Sequence, residues 1–177
     1  MLKIPTDWGD RASLRCFKLA STVFNLLPAA DAYKLGHQLI RLWLTFDRKH
    51  QRVIEKNLEI ALQLEPKSPA SMKLQTEISQ NLGSTLCEFF LLQNPACRRL
   101  LQQNLQITGL EHLNQAQADK SGAIIVSAHF GNWELAGFLS TLMRKPITTV
   151  AKPIKGKPHL YAAIERTRRE VGFVPLD

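Results

Sequence analysis

The hydrophobic pattern changes its period at about Leu105, and that change limits the fold more than any single motif does. Upstream, apolar residues return every three to four positions, the repeat of an amphipathic helix. Downstream, short apolar runs alternate with helical segments, the pattern of an α/β region built on a mainly parallel sheet. The chain divides accordingly into a helical region, 1–104, and the first part of an α/β core, 105–177. With 177 residues, 45% of them hydrophobic, it has enough apolar side chain to bury a core.

Two amphipathic helices open the chain. In the first, Phe17, Ala20, Phe24 and Leu27 line one face, flanked by Leu19, Val23 and Leu26, and Arg15, Lys18, Thr22 and Asn25 line the other. In the second, Asp31 is the expected N-cap, and Leu35, Leu39, Leu42 and Phe46, with Trp43 beside them, oppose Lys34, Gln38, Arg41 and Arg48. Such helices suit a helical core or a membrane interface. A basic block at Arg48–Arg52 and a net charge of +8, from 23 basic and 15 acidic residues, tilt the reading toward an anionic membrane surface. Attraction to such a surface amounts to about 1 kcal/mol per nearby basic residue. No segment offers the roughly 20 apolar residues that span a bilayer, and Asp7 and Asp10 interrupt the basic leader of a signal peptide. Further helices are expected over 53–64 and 71–93, separated by a Glu65–Pro69 turn whose two prolines break helical hydrogen bonding.

Beyond Leu105 the pattern predicts strands at 106–108, 123–127 and 147–151 and another starting at Phe173. Helices are expected at 111–118, from Trp133 to about Arg144, and at 159–171. Ligands of parallel sheets bind beyond the carboxyl ends of strands, and the run Ala123–Ser127 leads directly into Ala128-His-Phe-Gly-Asn-Trp-Glu134. Gly131 allows a tight turn, Asn132 is a natural N-cap, and Glu134 falls in the first helical turn. On a continuous helix His129 and Glu134 would stand about 140° apart, so their pairing requires the loop to fold the imidazole back. A carboxylate that accepts one imidazole N–H leaves the other nitrogen free to take a proton from a hydroxyl. His129 is therefore a candidate general base and Glu134 its orienting partner, beside helix N–H groups suited to an oxyanion. The alternative is a strand-end histidine with a chance acidic neighbour, and the spacing alone does not separate the two.

The remaining chemistry-bearing residues read as structural. His37 and His50 are expected at the surface, and neither His112 nor His159 stands at a metal-ligand spacing. Cys16, Cys87 and Cys97, an odd number matching no metal knuckle, read as reduced packing residues in a cytoplasmic setting.

Gly122–Gly137, GAIIVSAHFGNWELAG, closely resembles the HxxxxD/E motif of the bacterial lipid A biosynthesis acyltransferase family, the lauroyl/myristoyl transferases that include phosphatidylinositol mannoside acyltransferases. Supporting similarity lies in RVIEKNLEIAL at Arg52–Leu62, in Asn81-Leu-Gly83 followed by Glu88-Phe89, and in VAKPIKGKPHL at Val150–Leu160 with the ERTRREVGFVPL that follows. The resemblance implies acyl transfer from an acyl carrier protein or CoA thioester to a hydroxyl of a lipid A precursor or related glycolipid, at the cytoplasmic face of the inner membrane, without metal or cofactor. It implies His129 as base, Glu134 as its orienting carboxylate, and substrate contacts at Asn132, Lys152, Arg166 and Arg169. Arg144, Lys145, Lys155, Lys157 and Arg168 would also be available to phosphate groups. Lys152 precedes Pro153 where family members commonly carry arginine, which keeps the charge and loses bidentate geometry.

Family members continue well past this length, so the chain looks like a C-terminally truncated member, with an incomplete sheet and an exposed apolar edge. A membrane-associated acyl- or lipid-binding module without turnover is the alternative. Glycerolipid acyltransferases share the HxxxxD logic, but Glu134 and the FGNW interior of the motif argue against them. Nucleic acid is not an expected partner, since no reader motif is present and aromatics are not interleaved with the basic residues of Arg144–Arg169.

Overall fold

Proline and small residues decide where the helices of this chain start and how closely they cross. A computed structural model describes residues 6–118 and 122–176, which fall into two compact units, one of Phe24–Phe89 and one of the described residues on either side of it. Their elements, in order, are α1 (Thr6–Leu26), α2 (Ala29–Phe46), α3 (Arg48–Leu62), α4 (Pro69–Leu91), α5 (Pro95–Gln103) and α6 (Leu110–Ala118). A 3-10 helix at Trp133–Phe138 then runs into α7 (Leu139–Met143), followed by β1 (Ile147–Thr149), α8 (Pro158–Val171) and β2 (Phe173–Pro175).

In the unit Phe24–Phe89, α2 begins three residues earlier than an Asp31 cap would have it. Pro28 occupies the cap position, and its carbonyl accepts from the N–H groups of Asp31 and Ala32 at 2.9 and 3.0 Å. Asp31 lies in the first turn, paired with Lys34. Asp47 caps α3, accepting from the His50 N–H at 3.0 Å and contacting its Nδ1 at 2.7 Å.

The buried residues of α2 are Ala32, Gly36 and Leu44, whereas Leu39, Leu42 and Phe46 of the expected apolar stripe are exposed. The reason is backbone proximity. A Cβ on Gly83 of α4 would stand 2.7 Å from the Cα of His37, and one on Gly36 would overlap the Gly83 carbonyl. Around this crossing Tyr33 donates to Glu88 at 2.9 Å, and His37 Nε2 bonds Ser84 Oγ at 2.9 Å. His37 is therefore half-buried and not a surface residue. Burial and the Glu88 contact push the Tyr33 phenol above its usual range.

In the other unit, the Phe17 ring of α1 stands 5.4 Å from that of Phe90, whereas Leu19 and Val23, which flank the expected stripe, are exposed. Leu92, Phe138 and Val171 form its core, with Leu101, Leu105 and Leu135 against them. β1 and β2 pair in parallel, Ile147 opposite Phe173, with α8 as the crossover. Two glycines permit this packing. A Cβ on Gly137 would press on Val171 and Phe173, and Gly172, at φ +118°, has Ser140 where a side chain would be.

The fold is α/β with an incomplete sheet behind a helical region, as the sequence implies, but the sheet is smaller than its apolar runs suggest. Gln106–Thr108 and Ala123–Ser127 are not strands, and the third predicted strand ends at Thr149. A fully apolar run is a central-strand sequence that needs a partner edge on each side. Among the described residues it has none, and Ile124 and Val126 are 94% and 89% exposed. Cys16 is exposed and Cys87 buried, so the packing role expected of all three cysteines does not hold for Cys16. Among the described residues no helix is long and apolar enough to cross a membrane.

Candidate active site

Gly131 takes a positive φ of +57°, and the next residue ends the loop: the Asn132 side chain accepts from the Glu134 N–H at 3.1 Å. This cap starts the 3-10 helix at Trp133, where the sequence places a helix start.

Capping and burial turn Glu134 inward. Its carboxylate is 6% exposed and receives a bidentate guanidinium, Arg168 Nε at 3.0 and 3.1 Å from its two oxygens and Nη2 at 2.6 Å from Oε1. The hydrogen bond to Glu134 raises the pKa of Arg168 further above its ordinary value, outweighing the opposing effect of burial. A fork pairing of this kind fixes both distance and plane, so the 3-10 helix and α8 are held at one geometry.

His129 lies elsewhere. It is exposed, and its ring packs against Trp133 with centroids 4.5 Å apart and planes at 56°. No hydrogen bond joins His129 to Glu134 among the described residues, which corrects the expected direct pairing. The physical reason is competition: Arg168 offers a permanent charge with two parallel donors, and the loop before Gly131 is not drawn back over the carboxylate. What the motif does bring together is His129, Trp133 and an apolar cleft of about 780 Å³. Trp133, Ala136, Leu139, Met143, Ile147 and Phe173 line it, with Ser127 and Ile125 contributed by the segment before His129. Such a volume and lining suit a flexible apolar ligand.

The expected substrate contacts disperse. The Asn132 side chain is used as the cap. Lys152 is exposed and lines neither this cleft nor the smaller pocket beside it. Arg166 pairs with Glu170 at 3.3 Å, a carboxylate that Arg98 also engages at 2.8 Å. Arg169 lines the smaller pocket, about 400 Å³, together with Arg144 and Lys145. Among the described residues no group of His, Cys, Asp or Glu could hold a metal ion.

Two residues of structural weight escape a sequence reading. Arg168 carries no local signal, since its partner is 34 positions away. Asp10 is the other: its carboxylate is 1% exposed and accepts from the His159 N–H at 2.7 Å and the Leu160 N–H at 3.0 Å, with His159 Nδ1 at 2.7 Å. It caps α8 from a distance. The sequence held one clue, because Lys157-Pro158-His159 supplies no side-chain cap of its own and the first N–H groups of a helix must find acceptors.

The bacterial lipid A biosynthesis acyltransferase profile matches residues 3–176. The lipid A biosynthesis lauroyltransferase of Escherichia coli K12 is 28% identical over 127 residues, 72% of this chain and 40% of that protein. A phosphatidylinositol mannoside acyltransferase of Mycobacterium tuberculosis is 31% identical over 124 residues, 70% of this chain and 39% of that one. The chain thus spans about two fifths of the length of these curated relatives. No solved structure matches it. With nearly its whole length matched, this chain belongs to the bacterial lipid A biosynthesis acyltransferase family.

Proposed function

We propose that the chain acts in acyl transfer from a thioester, on acyl carrier protein or CoA, to a hydroxyl of a lipid A precursor or related glycolipid, with His129 as general base. The observation that carries this reading is the contact of the exposed His129 ring with Trp133, itself a wall of the apolar cleft. An acyl chain in the cleft would leave its thioester near the imidazole. His129 takes the proton of the acceptor hydroxyl, the oxygen attacks the thioester carbonyl, the new C–O bond replaces the C–S bond, and the imidazolium returns its proton to the departing thiolate. Of the N–H groups at the start of the 3-10 helix, that of Trp133 is the candidate to stabilise the oxyanion, since Asn132 takes those of Glu134 and Leu135. Glu134 serves this chemistry as a positioning residue, anchoring the turn through Arg168.

The setting in this reading is the cytoplasmic face of the inner membrane. On α1, Leu19, Val23 and Leu26 are exposed, and on α2, Leu39, Leu42, Trp43 and Phe46. Each set gives its helix an apolar stripe beside basic residues, suited to an anionic lipid surface.

The test is incubation of the 177-residue chain and its His129→Ala variant with acyl carrier protein and CoA thioesters and a membrane lipid extract, following acylated products by mass spectrometry. The expected result is product from the parent and a loss of about 10²- to 10⁴-fold in the variant. Undiminished product from the variant would remove His129 from the role. A binding module without turnover is favoured by the separation of Glu134 from His129, and it predicts acyl ligand binding by both proteins and product from neither.

A further inference from the structure

The smaller pocket adjoins the apolar cleft, and Lys145, Pro146 and Phe173 line both. Its distinguishing feature is uncompensated charge. Three arginines of this unit are neutralised: Arg168 by Glu134, Arg98 and Arg166 by Glu170. Arg144, Lys145 and Arg169 have no acidic partner among the described residues, and they converge on one concavity of about 400 Å³ with the Ser140 side chain. Arg144 is held in the left-handed region at φ +52°, as the residue that ends α7, and Arg169 projects from the last turn of α8. Two guanidinium forks and an ammonium around one hollow suit a tetrahedral oxyanion, which accepts paired donors from several sides.

We propose that Arg144, Lys145 and Arg169 form an anion subsite that holds a phosphate ester belonging to the same ligand whose acyl chain fills the neighbouring cleft. This rests on the acyl-cleft reading above and extends it, dividing the ligand into an apolar part and a phosphorylated part separated by the shared wall of Lys145, Pro146 and Phe173. The phosphate could belong to a phosphopantetheine arm bearing the acyl thioester or to an acylated lipid headgroup, and the two sources are separable.

Binding of the full chain is measured by calorimetry with four probes. They are dodecyl-phosphopantetheine thioether, its dephosphorylated counterpart, monomeric dihexanoyl phosphatidic acid, and dihexanoylglycerol. In at least one pair the phosphate is expected to improve affinity about tenfold, the low end for charged hydrogen bonds at an exposed site, and the gain should shrink with salt. The double variant Arg144→Ala/Arg169→Ala should lose that gain while binding the uncharged probe as the parent does, which also reports that the cleft is folded. A gain confined to the pantetheine pair assigns the subsite to the acyl donor, and one confined to the glycerolipid pair assigns it to a lipid. Equal affinity with and without phosphate in both pairs, or a gain that survives in the double variant, overturns the subsite and leaves the acyl cleft standing. Absence of binding by all four probes defeats the acyl-cleft reading and this inference with it.

Discussion

Each of the two units of this chain rests internally on a different kind of contact. In Phe24–Phe89 the decisive contact is backbone against backbone, Gly36 and Gly83 at a helix crossing, with short polar bonds from Tyr33 and His37 around it. In the other unit it is charged side chain against backbone or charged side chain: Asp10 on the start of α8, Arg168 on Glu134, Arg98 on Glu170. A crossing of glycines tolerates no added atom, whereas an ion pair tolerates no lost one. The contrast teaches that one unit is sensitive chiefly to volume, and the other, with its own crowded glycines at Gly137 and Gly172, to charge as well.

The strongest expected effect is on charge. Arg168→Ala leaves the Glu134 carboxylate buried and unpaired and should cost about 3 kcal/mol, the low end for a broken buried pair because the Arg168 side chain is 26% exposed. Urea unfolding checks it, and Arg168→Ala combined with Glu134→Gln should recover part of the loss, since the stranded charge is then gone. Full stability in the single variant would end the claim that this pair anchors the 3-10 helix. Next comes volume: Gly83→Ala places a methyl 2.7 Å from the His37 backbone and should cost about 2 kcal/mol. A helix-stabilising gain there, as glycine replacement gives at an open site, would show that the crossing relaxes.

Asp10→Asn probes the long-range cap. Burial alone would raise the Asp10 pKa, but the N–H groups of His159 and Leu160 and the His159 side chain outweigh it and hold the carboxyl below its ordinary 3.8. A carboxyl depressed on folding stabilises the native state above its unfolded value, and that contribution is lost as pH falls through the lower folded value. The variant should therefore melt below the parent at neutral pH, with the gap closing in acid below pH 3.8. A gap constant with pH would refute the ionised cap. Smallest of all is His129→Ala on stability: an exposed ring on Trp133 should matter by less than about 0.5 kcal/mol, so a folded, inactive variant is the expected pairing of results.

How much of this was legible follows from what each element needs. A helix closes its hydrogen bonds within itself, so periodicity alone located α2, α4, α6 and α8 to within about three residues. By contrast, α1 starts well before Arg15, where its stripe was read to begin, and α3 starts at Arg48, ahead of the expected Val53. The Asn132 cap needed only its own loop. A strand needs another strand, so Ala123–Ser127 could be recognised as strand-forming while nothing local decided whether it paired. The site shows the same division. His129, Gly131 and Asn132 are neighbours in sequence, and their motif was readable. Arg168 reaches Glu134 over 34 positions, and no periodicity marks which of several basic residues in α8 turns inward. The stripe of α2 misled for a related reason: helical spacing names a face, but at a glycine crossing the face that is buried is the one with the least side chain.

The Asp10 cap also sets an order of events during synthesis. Asp10 and His159 are separated by 149 positions, and at about 5–20 residues per second the ribosome needs roughly 7–30 s to deliver the second after the first. For that interval the nascent α1 cannot take its final seat, and its apolar side stays open to whatever it meets first.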